Sequence, residues 1–88
     1  MALLDLLGRR WALRVVWELR SGPLTSRELR NACGGASPTV VSERTKELRD
    51  AGLVELEEPA GYALTPLGRE LFERFLPLVE WSERWAKR

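Results

Sequence analysis

The segment 37–50 contains the side chains whose types and spacing could act on another molecule. Thr39, Glu43 and Lys46 are spaced so that they share one face of a helix. Such groups suit the edges of bases in a DNA groove, because a carboxylate can accept from a cytosine amino group and an ammonium can reach guanine or a phosphate. The spacing therefore indicates nucleic-acid recognition.

The same part of the chain supplies further candidate contacts. Thr39 and Val40 could pack against thymine methyl groups. Ser37, at the start of the predicted helix, and Arg27, on the helix before it, are candidates for phosphate contacts. The predicted DNA-binding residues are Arg27, Ser37, Thr39, Val40, Glu43, Arg44 and Lys46. The alternative is that they form only the solvated face of a structural helix, which would be the better interpretation if the helix stood alone.

Two capped helices are predicted to position these residues. Ser37 is a favoured N-cap, the proline after it suits the first helical position, and Gly52 can end the helix in a left-handed conformation. Thr25 and Glu28 form a capping box for a preceding helix, which ends before a turn at residues 33–36. A helix, a turn and a second helix in this order predict a helix-turn-helix, whose second helix enters the major groove.

The core is predicted to lie under the second helix of this pair and along the N-terminal segment. Val41, Thr45 and Leu48 share the face opposite the candidate DNA contacts and should be buried. Apolar residues at helical spacing predict a first helix that ends near Leu19 and begins before Trp11, with the leucines among residues 3–7 as an earlier turn.

A hairpin and a long helix are predicted after the pair. Two short apolar strands flank a turn at residues 58–61, which contains proline and glycine. Thr65 and Pro66 start a helix that runs close to the C-terminus and that Pro77 should kink or divide. The predicted fold class is therefore mainly α with a small β-hairpin (α+β), a winged helix-turn-helix, formed by residues 1–88 as a single domain.

The predicted hairpin, or wing, is acidic. It carries Glu55, Glu57 and Glu58, and no Lys or Arg lies between Gly52 and Gly68. Phosphates repel carboxylates, so we expect the wing to be structural or at most a marginal DNA contact. This feature keeps a second function open, that of a winged-helix protein–protein interaction module without specific DNA binding.

Four tryptophans are many for a chain of 88 residues. Trp81 and Trp85 are four residues apart and share a helical face. A domain this small has difficulty burying four such side chains, and aromatic residues are enriched at interfaces. We therefore expect a homodimer formed by the N- and C-terminal helices, with an interface that includes Leu4, Leu7, Trp11, Trp81 and Trp85.

The charge is small overall but unevenly distributed. The net charge is +1, and residues 1–50 carry nine Lys or Arg against six Asp or Glu, whereas residues 51–88 carry five against seven. A mildly basic first half is compatible with phosphate contacts by the helix pair. The charge alone does not indicate nucleic acid; the predicted helix-turn-helix makes double-stranded operator DNA the predicted partner beside a second copy of the chain.

Catalysis has little support in this composition. The chain has no histidine, and its one cysteine, Cys33, has no evident base and is expected to be a small residue near the core. No phosphate-cradling glycine motif or metal-ligand spacing occurs. We expect no enzymatic activity, catalytic residue, cofactor or metal, and no residues point to a small-molecule effector.

The sequence also predicts a cytoplasmic protein without a membrane partner. Its apolar runs are far shorter than the roughly 20 residues that span a bilayer. Asp5 interrupts the N-terminal leucines and two arginines follow them, which is the wrong order for a signal peptide. A single cysteine cannot form an internal disulfide, so nothing demands an oxidising compartment.

An ordered set of short motifs resembles the HxlR-type winged-helix transcriptional regulators, which are relatives of the MarR-type regulators. The motifs are Leu6-Leu7-Gly8-Arg9-Arg10-Trp11-Ala12-Leu13, Gly22-Pro23-Leu24, Glu28-Leu29-Arg30, Ser37-Pro38 with Ser42-Glu43-Arg44, Leu48 to Val54, and Tyr62-Ala63-Leu64-Thr65-Pro66-Leu67-Gly68. The resemblance covers nearly the whole chain. It implies a bacterial or archaeal homodimer that binds operator DNA, with dimer contacts from the terminal helices.

The sequence departs from that family's pattern in three places. Family members usually carry a longer N-terminal arm with a Cys-Pro pair before the first helix, and this chain starts too late to include it. The resemblance therefore does not extend to the redox or electrophile sensing that some members perform through that cysteine. Thr45 stands where a buried leucine is usual, which should loosen the recognition helix slightly. The wing is shorter and more acidic than is usual in the family.

Overall fold

Five helices and one β-hairpin make up the computed structural model, which describes residues 2–88. The elements follow the chain in the order α1 (Ala2–Leu7), α2 (Ala12–Glu18), α3 (Ser26–Ala32), α4 (Pro38–Asp50), β1 (Val54–Glu57), β2 (Gly61–Leu64) and α5 (Pro66–Ala86). The predicted fold class, mainly α with a small hairpin in a winged helix-turn-helix, is confirmed.

Local hydrogen bonds begin α3 and α4 where the sequence predicts. The Thr25 hydroxyl accepts from the Glu28 amide at 3.1 Å, and the Thr25 amide donates to the Glu28 carboxylate at 2.9 Å. This reciprocal pair is the capping box. At α4 the Ser37 hydroxyl accepts from the Val40 amide at 3.2 Å, and Gly52 adopts a φ of 80° just beyond the helix end. The predicted boundaries of the helix pair are confirmed.

The core lies between α2, α3, α4 and the start of the hairpin. Its fully or nearly fully buried members include Val15, Val16, Leu19, Leu29, Cys33, Val41, Leu48, Leu53 and Val54. The predicted inner face of α4 is confirmed, because Val41, Thr45 and Leu48 are all buried. The Thr45 hydroxyl donates to the Val41 carbonyl at 2.8 Å, so this polar group is satisfied inside the helix.

The wing is an antiparallel pair joined to the helix bundle at both ends. β1 and β2 pair from Val54 opposite Leu64 to Glu57 opposite Gly61. Leu24 forms an isolated bridge with Tyr62, which ties the link before α3 to the outer side of β2. At the other end, the Thr65 hydroxyl donates to the Gly52 carbonyl at 2.6 Å and accepts from the Gly68 amide at 3.0 Å. The start of α5 is thereby fixed against the end of α4.

The prediction of one N-terminal helix running through Trp11 is wrong. α1 ends at Leu7 and α2 begins at Ala12, and residues 8–11, which we call the α1–α2 link, turn the chain between them. Trp11 takes a left-handed conformation with a φ of 76°. The Arg9 amide donates to the Leu6 carbonyl and the Ala12 amide to the Arg9 carbonyl, both over three residues, so tight turns replace the helical ladder. The turn places the Trp11 side chain against the core.

Pro77 does not divide the C-terminal helix, contrary to one of the two expectations for it. α5 continues from Pro66 to Ala86 with Pro77 inside. The carbonyl that loses its donor belongs to Glu73, an exposed residue, so water can satisfy it. Beyond Val79 every residue of the chain is exposed. None of the helices formed by residues 2–88 combines the length and the apolar character that a transmembrane helix requires.

Candidate nucleic-acid interface

The predicted base-contacting residues lie on the outer face of α4. Thr39, Glu43 and Lys46 are exposed, as is the capping residue Ser37 at the start of the helix. Val40 is half-buried on the flank of the helix. The structure therefore brings these residues onto one accessible surface, while the opposite face of α4 packs into the core.

Lys46 forms an ion pair at the protein surface, the one that its ammonium makes within residues 2–88. Its Nζ lies 2.9 Å from a carboxylate oxygen of Asp50, and the two side chains are 76% and 66% exposed. Such an exposed pair one helical turn apart contributes less than about 1 kcal/mol. A phosphate or a guanine edge could replace Asp50 at little cost, so Lys46 remains available to a ligand.

Arg44 differs from the other predicted contacts because its guanidinium is engaged inside the protein. Its Nε donates to the backbone carbonyl of Arg10 at 3.1 Å, and its Nη1 pairs with the carboxylate of Glu47. The other oxygen of Glu47 lies 3.3 Å from Nε of Arg9. The Arg44 side chain is only 15% exposed. These contacts attach the α1–α2 link to one flank of α4.

The other flank of α4 faces α3 and the wing. A small cleft of about 70 Å³ opens there, lined by residues that include Ser26, Ser42, Arg49 and Tyr62. The Arg49 guanidinium carbon lies 5.8 Å from the centre of the Tyr62 ring. Arg27, on α3, is exposed and makes no ion pair within residues 2–88. It is thus free for the phosphate contact predicted for it.

The capping box at the start of α3 also affects the charge of Glu28. Hydrogen bonds from the Thr25 amide and hydroxyl hold the pKa of the Glu28 carboxyl below its ordinary value of 4.5. Glu28 is therefore ionised at neutral pH. Its charge is engaged with the first turn of α3, where the helix dipole favours a negative group.

The wing presents acidic side chains to solvent. Glu55, Glu57 and Glu58 are exposed, and Leu56 between them is 39% exposed. A phosphate backbone would be repelled by this surface. In the part of the chain that the structure describes, the cations nearest in sequence to the wing are Arg49 and Arg69, and the Arg69 guanidinium donates to the Arg20 carbonyl at 2.8 Å.

The predicted dimer residues divide into two groups. Leu4, Trp81 and Trp85 are about half exposed, at 57%, 49% and 51%, whereas Leu7 and Trp11 are half-buried. Trp11 packs against the core cluster of its own chain. The terminal helices carry further exposed apolar side chains that were not among the predicted interface residues, namely Leu3, Leu67 and Leu78. Their positions at helical spacing in the terminal helices could have identified these three leucines as interface candidates.

Cys33 is fully buried at the end of α3, as expected of a small core residue. Burial raises the pKa of its thiol above the ordinary value of 9.0, and the Glu18 carboxylate raises it further. The thiol is therefore protonated at neutral pH and shielded from reagents. No group of three or more potential metal ligands occurs within residues 2–88.

Curated sequences similar to this chain are named as regulators. YvaP of Bacillus subtilis, an uncharacterized HTH-type transcriptional regulator, is 32% identical over 87 residues, which cover 92% of this chain and 81% of YvaP. YtfH of Escherichia coli, described in the same words, is 28% identical over 80 residues, which cover 84% of this chain and 64% of YtfH.

Solved structures agree with this similarity. A possible HxlR family transcriptional factor from Thermoplasma volcanium superposes with a TM-score of 0.89 at 29% identity, covering 98% of this chain and 83% of the other. Quinone-bound YodB from B. subtilis superposes with a TM-score of 0.84 at 29% identity, covering 94% and 93%.

The family model for the HxlR-like helix-turn-helix matches residues 6–88, and so includes α2 to α5, the wing and the end of α1. The resemblance drawn from the short motifs is therefore confirmed. With almost the whole chain matched, this protein belongs to the HxlR-like helix-turn-helix family of DNA-binding transcriptional regulators.

Proposed function

We propose that this protein is a homodimeric, sequence-specific regulator that inserts α4 of each subunit into the major groove of operator DNA. The observation that carries the proposal is the division of α4 into two faces. Val41, Thr45 and Leu48 anchor it in the core, while Thr39, Glu43 and Lys46 stand exposed along the other side. A major groove about 12 Å wide admits a helix presented in this way.

Base reading would fall to the N-terminal half of α4. Thr39 and Val40 pack against thymine methyl groups, Glu43 accepts from a cytosine amino group, and Lys46 leaves Asp50 for guanine or a phosphate. Ser37 and Arg27 contact the backbone on the side of α3. Two copies of α4 in successive major grooves require half-sites about 10 base pairs apart, or a multiple of that distance.

Dimerisation would bury the apolar surface of the terminal helices. Leu4, Trp81 and Trp85 are about half exposed in the single chain, and the last seven residues of α5, 80–86, lie in solvent together with the two residues that follow the helix. Exposed aromatic and leucine side chains are the composition expected of an interface centre. Leu7 and Trp11 would support this surface from within each protomer.

The test is a fluorescence-anisotropy titration against the DNA upstream of the protein's own gene and against a scrambled duplex, at two salt concentrations. A preference of about 10³ or more for the native fragment is expected of a specific regulator. Lys46→Ala should weaken binding to the native fragment, with Lys87→Ala, an exposed cation at the far end of the chain, as the control. Unchanged affinity of Lys46→Ala would contradict the assignment of Lys46.

The dimer is tested separately by sedimentation equilibrium of the wild type and of the Trp81→Ser/Trp85→Ser variant. A wild-type dimer and a variant monomer are expected, whereas a monomeric wild type would contradict the proposal. Weak binding without sequence preference, even at low salt, would instead favour the protein–protein interaction module. The exposed acidic wing with Leu56 at its centre is the surface that would then act.

A further inference from the structure

The α1–α2 link lies beside the proposed DNA-binding helix although it is more than 25 residues away in sequence. Nε of Arg44 on α4 donates to the carbonyl of Arg10 at 3.1 Å, and Glu47 on α4 pairs with Arg9 at 3.3 Å. Both α4 residues lie on the flank that faces away from α3 and the wing. The backbone of the link is therefore fixed along one side of α4.

Trp11 fixes the other end of the link. Its indole covers the turn between α3 and α4, since a Cβ built on Gly35 would meet Cη2 of Trp11 at 3.1 Å. Trp11 holds a left-handed φ of 76°, a conformation that costs a residue with a Cβ about 1 kcal/mol or more. The strain is retained because the indole packs on the turn and the core.

The contacts that fix the link use the Arg10 carbonyl and leave the Arg10 side chain available. It is exposed and makes no ion pair with any residue from 2 to 88. Within residues 2–88 its guanidinium carbon lies 5.9 Å from the centre of the Trp11 ring, a weak cation–π contact that leaves the N–H donors available. Arg9 pairs with Glu47, the Arg10 carbonyl accepts from Arg44, and Trp11 reaches Gly35 before α4. The link thus runs along α4 towards its N-terminus, and Arg10 lies beside the middle of the helix.

The dimensions of the major groove suggest what Arg10 could contact from this position. An α-helix with its side chains is about 10–12 Å across and the major groove is about 12 Å wide, so a helix lying in the groove has a phosphate strand at each flank. Arg27 and Ser26 stand on the flank formed by α3. On the other flank of α4, away from α3, the helix itself carries Val40, Arg44 and Glu47. Arg44 is already engaged within the protein and Glu47 is acidic, so without the link this flank would have no free cation for the DNA strand beside it.

We infer that Arg10 binds a DNA phosphate on the flank of α4 opposite α3, so that both strands bordering the major groove are held. Arg44 is then a positioning residue, which places Arg10 through its carbonyl, and Glu47 and Arg9 complete the attachment. The inference rests on the proposed insertion of α4 into the major groove, and it assigns a DNA-contacting role to a residue outside the helix-turn-helix.

The expected size of the effect follows from counterion release. Each phosphate contact changes the logarithm of the DNA-binding constant by about 0.9 per tenfold change in salt concentration. A contact that adds nothing to affinity at 1 M salt therefore raises the affinity about eightfold at 0.1 M salt. A dimer loses two contacts, one per subunit. Arg10→Ala should therefore weaken binding about sixtyfold at 0.1 M salt and reduce the salt slope by about 1.8.

The experiment titrates wild type, Arg10→Ala and the charge-matched control Lys87→Ala against native and scrambled duplexes between 50 and 200 mM salt. A phosphate contact carries no sequence information, so Arg10→Ala should lose affinity on both duplexes by the same factor. Loss confined to the native duplex, an unchanged salt slope, or an equal loss in Lys87→Ala would overturn the inference. Thermal melts by circular dichroism confirm that each variant is folded.

A double-mutant cycle tests the role of Arg44. Arg44→Met keeps a long apolar stem but removes the donor to Arg10, so it should weaken DNA binding alone and add less than about twofold to Arg10→Ala. Additive losses would show that Arg44 contacts DNA itself and would overturn its positioning role. A wild type without preference for the native duplex would contradict the proposed function, yet the effect of Arg10→Ala on non-specific binding would still be measured.

Discussion

Replacing Gly68 by Ala should destabilise this protein although the position is helical. Gly68 lies in the first turn of α5 and is buried. An alanine Cβ there would lie 1.9 Å from the carbonyl oxygen of Leu53 and 2.9 Å from its carbonyl carbon. In an ordinary helix the same substitution stabilises by about 1 kcal/mol. Helical propensity and tertiary packing therefore predict opposite signs, and the packing should prevail.

The distances from the added Cβ to Leu53 set the size of the expected loss of stability. Because real Cβ contacts essentially never fall below 3.0 Å, α5 or the Leu53 backbone must move by about 1.1 Å, the difference between 3.0 and 1.9 Å. The obstacle is backbone and cannot rotate away, and the same carbonyl accepts from the Thr65 amide at 3.1 Å. Overpacking typically costs about 1–3 kcal/mol and occasionally more. Because the obstacle is backbone, we take the upper end of this range, about 3 kcal/mol. Subtracting the gain of about 1 kcal/mol in helix propensity leaves an expected net loss of about 2 kcal/mol.

The assay is urea unfolding followed by tryptophan fluorescence, with thermal melts in parallel. A loss of about 2 kcal/mol corresponds to a fall in Tm of about 10 °C for a domain of this size. Gly52→Ala is the control, because Gly52 has a φ of 80° but nothing within 4 Å of its built Cβ, so only about 1 kcal/mol of backbone strain is expected. A Gly68→Ala protein as stable as the wild type would refute the argument.

Two further predictions concern buried polar groups. Thr45→Val should leave stability unchanged or raise it by up to about 1 kcal/mol in urea unfolding, because the hydroxyl bonds a carbonyl that a helix already satisfies; a loss above about 1 kcal/mol would contradict this. Since burial raises the Cys33 pKa, its contribution is complete below pH 9 and is lost as the pH rises through the folded-state value. Wild-type stability should therefore fall more steeply than that of Cys33→Ala between pH 8 and 10, and equal slopes would refute it.

Features that depend on neighbouring residues were predictable from the sequence. The caps of α3 and α4 use side chains within three residues of the amides they bind, so Ser37 and Thr25 were sufficient to locate both helix starts. The buried face of α4 followed from helical periodicity, and the turn of the wing followed from its proline and glycine. The family followed from the order of these local motifs along the chain.

The course of the N-terminal segment was decided by the tertiary structure. Periodicity predicts that α1 and α2 continue into one another, because leucine and valine recur at helical spacing across Gly8. The turn at residues 8–11 depends instead on distant partners, namely Arg44 at the Arg10 carbonyl and Gly35 under the Trp11 ring. A sequence pattern contains no information on which residues meet across 20 or more positions, so this break could not be predicted.

The same division applies to the candidate site. The polar face of α4 could be identified from the order of its residues, since side-chain direction repeats with the helix period. Only the tertiary structure separated Lys46, on an exposed ion pair, from Arg44, which is engaged by Glu47 and Arg10. Both are cations on one helix, and their difference arises from what packs beside each flank. Helical geometry is local, whereas the availability of a charge depends on neighbours that folding brings together.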